Sequence, residues 1–111
     1  MKRDVYCTNV FGHDVSNAEN FVEDGGEVIN ITEGRINIFK TDSLERKIMG
    51  ALKDMKSTDL ILIAGNSFVA SLVCAYVIKR FGILNVLIWD HNERSYTLRT
   101  VDFKQIKIRL K

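Results

Sequence analysis

Residues 59–82 read DLILIAGNSFVASLVCAYVIKRFG, and the fold depends on how this stretch divides. Leu60-Ile61-Leu62-Ile63-Ala64 is an unbroken apolar run of strand length. A strand with one face in water alternates in polarity, so this one is expected to be covered on both faces. Gly65-Asn66 breaks the run, and Ser67 is a candidate helix cap. From Phe68 to Phe81 the chain is apolar on nearly every side, too long for a strand and suited to a buried helix. Lys79 and Arg80 precede Gly82, as expected where a helix C-terminus favours cations and a left-handed glycine. The stretch reads as strand, glycine turn, helix, the repeating unit of an α/β domain.

Upstream, Val5 to Val10 is short and β-favouring and leads into the loop signal Gly12-His13-Asp14. Ser16-Asn17-Ala18-Glu19 has capping-box form and predicts a short helix to about Glu23, stopped by Gly25-Gly26. Glu27 to Ile31 predicts a second, less buried strand. Thr32-Glu33-Gly34 turns the chain, and Ile36, Ile38 and Phe39 suggest a short extended piece. Asp42 to Met55 is the clearest amphipathic helix: Leu44, Ile48, Met49, Ala51, Leu52 and Met55 form one stripe, and Asp42 with Glu45 a capping-box variant.

Downstream, Ile83 to Asp90 predicts another apolar strand. His91-Asn92-Glu93-Arg94 predicts a hairpin loop, and Tyr96 to Val101 a further strand. Ile106, Ile108 and Leu110 alternate with Lys107, Arg109 and Lys111, the pattern of a last edge strand whose cations would discourage aggregation. Strands alternating with helices predict a mainly parallel sheet in a small three-layer, Rossmann-like or flavodoxin-like domain. The expected order is 2-1-3-4-5, with antiparallel addition at the C-terminal end.

The chain has 111 residues, 46% of them apolar, which suits a single domain with its own core. A net charge of +2 is far below the footprint of a dedicated nucleic-acid binder. The basic residues Lys104, Lys107, Arg109 and Lys111 carry no interleaved aromatics and read as a solvated edge. Cys7 and Cys74 lie in predicted apolar elements and read as buried free thiols of a reducing compartment. No apolar leader follows Met1-Lys2-Arg3-Asp4, and no apolar segment is long enough to span a bilayer, so a cytoplasmic setting is expected.

Ligands of such sheets bind beyond the carboxyl ends of the strands, where the strand order reverses. The residues expected there are Asn9, His13 and Asp14 after the first strand, Gly65, Asn66 and Ser67 after the third, and Asp90 with His91 after the fourth. Gly65-Asn66-Ser67 could hold a nucleotide or other anion at a helix start. The competing reading is a turn glycine followed by a cap. His13 and Asp14 could form a proton-transfer pair in a hydrolase or transferase, or simply cap a helix. A divalent-metal set from His13, Asp14, Asp90 and His91 has no supporting ligand spacing. Trp89 and Tyr96 could stack on a base, or pack across strands. Neither a dinucleotide G-x-G-x-x-G nor a P-loop is present, which disfavours a Rossmann cofactor enzyme and a P-loop NTPase and leaves any cofactor unknown. The functional expectations are therefore binding of a nucleotide or other phosphate-bearing ligand at this edge, small-nucleotide hydrolysis or transfer, or dimerisation without a small ligand. In the last case the apolar helix or the last strand would meet a second copy as a homodimer.

Overall fold

The computed structural model describes residues 2–12 and 15–104. Five strands form one sheet in the order β2-β1-β3-β4-β5. They are β1 (Val5–Val10), β2 (Val28–Glu33), β3 (Leu60–Leu62), β4 (Ile83–Asp90) and β5 (Ser95–Asp102). β1 runs parallel to both β2 and β3, and β3 parallel to β4. β5 alone is antiparallel, and its register with β4 runs from Ile83 opposite Asp102 to Asp90 opposite Ser95. This is the expected fold class and strand order. Residues 106–111, expected to form a last edge strand, lie outside the described residues.

Right-handed crossovers decide which face each helix covers. The step from β1 outward to β2 and the steps back through β3 to β4 move in opposite directions, so their connections fall on opposite faces. The helices α1 (Thr41–Ala51) and α2 (Ser67–Phe81) therefore share one face. There Leu44, Ile48 and Leu52 meet Val69, Val73 and Val77 over Tyr6, Ile31, Ile61 and Val86. Each fully buried aliphatic side chain in such a core contributes about 2 kcal/mol. The other face has a smaller core of Val5, Cys7, Leu60, Leu62, Ala64 and Leu87, covered by Ala18 from a single 3₁₀ segment, Ser16–Phe21. β3 is enclosed by its neighbours on both sides: Leu60, Ile61 and Leu62 are all buried. Ile63 continues its pairing by donating to the Leu87 carbonyl.

Four local expectations are corrected. The cap of α2 is Asn66, not Ser67: its side chain accepts from Phe68 N–H and Val69 N–H. Neither the 3₁₀ segment nor α1 has a side-chain cap bond at its start; Val15 and Lys40 hold the cap positions. α1 stops at Ala51, and Leu52 and Met55 reach the core from the turn that follows it. Ile38 and Phe39 form a turn instead of an extended piece. The C-terminus of α2 is as expected, with Gly82 left-handed at φ 73° and its N–H on the Ile78 carbonyl. Among the described residues no helix is long and apolar enough to cross a membrane. Cys7 and Cys74 are free thiols, the first buried and the second half-buried.

Candidate functional site

The carboxyl edge of the sheet divides into two clefts that share Gly65. The smaller, about 290 Å³, lies at the order reversal between β1 and β3 and is lined by Asn9, Phe11, Gly34, Arg35, Ile36, Gly65 and Asn66. Asn9 sits at its base, only 1% exposed, with every polar atom engaged. Its Oδ1 accepts from Asn66 N–H at 2.9 Å, and its Nδ2 donates to Thr32 Oγ1 at 2.9 Å and to the Gly34 carbonyl at 3.1 Å. Thr32 Oγ1 passes a hydrogen bond on to the Thr8 carbonyl, while the Thr8 hydroxyl bonds the Ala64 backbone. Asn9 thus ties together the loops after β1, β2 and β3. Gly65, at φ 71°, is required for the same reason: a Cβ there would meet the Asn9 carbonyl oxygen and Oδ1 at under 2.5 Å. Its close approach is to Asn9.

The larger cleft, about 710 Å³, opens between the ends of β3 and β4, the β4–β5 hairpin and the first turns of α2. Ile63, Ala64 and Gly65 come from the strand end. Ser67, Ala70 and Ser71 come from α2, and Trp89, His91 and Tyr96 from the hairpin. Trp89 and Tyr96 are directly opposite in the ladder, with their rings edge-on at 5.2 Å. His91 meets the Trp89 ring edge-on at 6.4 Å. Ser67 and Ser71 stand one helical turn apart, and Ser71 donates its hydroxyl to the Ser67 carbonyl. The lining is apolar and aromatic with a few hydroxyls, beside the positive end of the α2 dipole.

Of the residues expected at this edge, Asn9, Gly65 and Asn66 come together, and Ser67 lies across Gly65 in the larger cleft. Asp90 lines neither of these clefts but a third, with His91 and Asn92 at the hairpin. Its Oδ1 accepts from Asn92 and Glu93 N–H and so fixes the turn. His13 and Asp14 lie outside the described residues. No group of three or more metal-binding side chains occurs among the described residues. Burial pushes the Cys7 thiol up to about 11, far from a reactive thiolate, and raises the Cys74 thiol as well.

Ser71, Ala70 and Ile63 were not singled out by sequence, although one signal pointed to Ser71 and another to the aromatic pair of the same cleft. Ser67 and Ser71 are four apart on a helix and so share a face. Counting outward from the four-residue loop pairs Trp89 with Tyr96.

No curated protein and no solved structure matches the chain significantly. A family model described as phage Pam3 gp32-like protein matches residues 3–103. Since that match takes in β1 through β5 and both helices, the chain belongs to the phage Pam3 gp32-like protein family.

Proposed function

We propose that this chain binds a small ligand with a flat apolar or aromatic part and an anionic group, such as a nucleotide, in the cleft between the β4–β5 hairpin and α2. One observation carries the reading. At the carboxyl edge of a mainly parallel sheet, a cleft of about 710 Å³ joins three aromatic rings to two serine residues at a helix start. Such edges are where sheets of this kind hold ligands. A base or similar ring would lie against Trp89 and Tyr96, and its anionic group would face Ser67 and the α2 dipole. Asn66 already takes two of the first N–H groups of α2, so the Ser67 hydroxyl and the dipole carry the polar recognition.

Trp89 is the sole tryptophan, so its emission reports on this cleft directly. Titration with a panel of nucleotides is expected to quench it for the matching ligand. A ligand at about one hundred times its Kd would add about 2.7 kcal/mol to stability, read as a rise in melting temperature. Ser71→Leu, at an exposed helix position, fills the cleft and should abolish both signals. A panel that leaves emission and melting temperature unchanged rejects the reading.

A further inference from the structure

Among the described residues β5 is the outermost strand on its side of the sheet. It spans eight residues, Ser95–Asp102, and pairs with β4 without a bulge. Among the described residues no strand pairs with its other side. Sheets protect such edges with proline, lysine, bulges or a covering element. The chain has no proline, and β5 has no lysine. The face that carries Tyr96 and Leu98 is the thinly covered one: Leu98 stands opposite the buried Leu87, yet is 43% exposed, and Trp89 beside it is 38% exposed. The 3₁₀ segment that covers this face packs on β1, at the far side of β3.

We propose that a second copy of this chain pairs antiparallel with β5, giving one continuous ten-strand sheet about a twofold axis through Leu98. Symmetry restricts the register. A twofold axis perpendicular to the sheet keeps each side chain on its own face, so the axis must pass through a residue, not between two. Centred on Arg99, it sets two guanidinium groups against each other, which is unfavourable. Centred on Thr97, it sets Ser95 against Arg99 of the partner subunit and Asp102 against the partner's Asn92, with no opposite charges facing. Centred on Leu98, it sets Leu98 against the partner's Leu98 and Tyr96 against the partner's Thr100. It also brings Arg94 to the partner's Asp102, and this charge pair occurs twice. Arg94 is exposed at the end of the turn, and Asp102 is the last residue of β5. The apolar strip of Leu98, Tyr96 and Trp89 then runs on into its symmetry mate. The outward stripe of α2, by contrast, presents Ser71, Ala75 and Lys79 to solvent and offers little apolar surface to a second copy.

The test uses the full chain in sedimentation and light scattering over a concentration series. The wild type is expected to be a dimer. Leu98→Arg should be a monomer with an unchanged circular dichroism spectrum. Arg94→Asp and Asp102→Arg should each raise the dimer dissociation constant about tenfold or more, and the double exchange should restore it. The charge exchange decides the register even if Leu98→Arg fails to fold. A wild-type monomer at every concentration overturns the proposal, as does a dimer indifferent to Leu98→Arg and to the charge exchange. A monomer whose β5 amides are nonetheless protected from hydrogen exchange would assign the edge to residues 105–111 of the same chain, and this too overturns it. The dimer is read by molecular mass and the ligand by the nucleotide titration, so failure of one is distinguishable from failure of the other.

Discussion

Asn9 shows how one side chain can resemble a ligand-binding residue and serve the fold. It lies at the order reversal of the sheet, where a polar residue invites a functional reading. Both of its amide hydrogens and its side-chain oxygen are nonetheless engaged, by Thr32, Gly34 and Asn66. Replacing it leaves buried partners unsatisfied, and that costs more than a surface hydrogen bond is worth. Asn9→Ala should lower stability by about 3 kcal/mol in urea unfolding, while Asn66→Ala, which removes a helix cap, should cost about 1 kcal/mol. Gly65→Ala should cost at least as much as Asn9→Ala, because it combines a left-handed backbone with a collision against Asn9 backbone and side chain. Equal and small effects at all three positions would show that the loops tolerate separation and that Asn9 does not bind them. Trp89 and Tyr96 differ from Asn9 in exposure: both are partly open to solvent and their rings meet edge-on, so ring surface is left for a ligand.

At the scale of elements, apolar runs were legible and caps were not. The buried run at residues 60–64, the continuous apolar helix after it and the Gly82 stop placed β3 and α2 correctly, because burial on both faces leaves an unmistakable pattern. The hairpin loop at residues 91–94 was legible too, and its length fits the observed register of β4 with β5. Caps failed because several polar residues stand together before each helix and only the backbone angles select among them: Asn66 is extended at ψ 123° and its side chain reaches two N–H groups. The functional edge was half legible. Its position followed from topology, but its division into two clefts depends on side chains that meet only when the sheet is assembled. Nor did the sequence reveal the other end of α1, where Arg80 of α2 donates from its two terminal nitrogens to the Leu52 and Lys53 carbonyls. That fork closes the C-terminus of one helix with the side chain of the other. Arg80→Lys keeps the charge but loses the two-pronged geometry, and is expected to cost about 1 kcal/mol. A loss no larger in Arg80→Ala than in a surface control such as Lys47→Ala would mean that the fork adds nothing.

The whole molecule is a sheet between a thick layer and a thin one, and each layer buries a titratable group whose proton the fold retains. Tyr6 faces the two helices, where burial chiefly, then the nearby Asp59, Asp4 and Asp54 carboxylates, push its phenol up to about 12. Cys7 faces the 3₁₀ segment, where burial alone pushes its thiol up to about 11. Both groups are neutral when protonated, so the fold holds on to protons that the unfolded chain has already released. For Cys7 that window runs from 9.0 to about 11, and for Tyr6 from 10.0 to about 12. Their contribution is complete below the lower limit of each window and is lost as pH climbs through it, since folding then requires proton uptake. Urea midpoints measured in alkaline steps should therefore fall once the pH passes 9.0. Cys7→Ala should reduce the early part of that decline, to which Cys74 also contributes, and Tyr6→Phe the part above 10.0, each relative to its own value at neutral pH. If Tyr6→Phe declines as steeply as the wild type in that upper range, the phenol is reached by water before the sheet opens. The thick layer would then be no better sealed than the thin one, although its two helices were placed by the same crossover rule that left the other face to a single short turn.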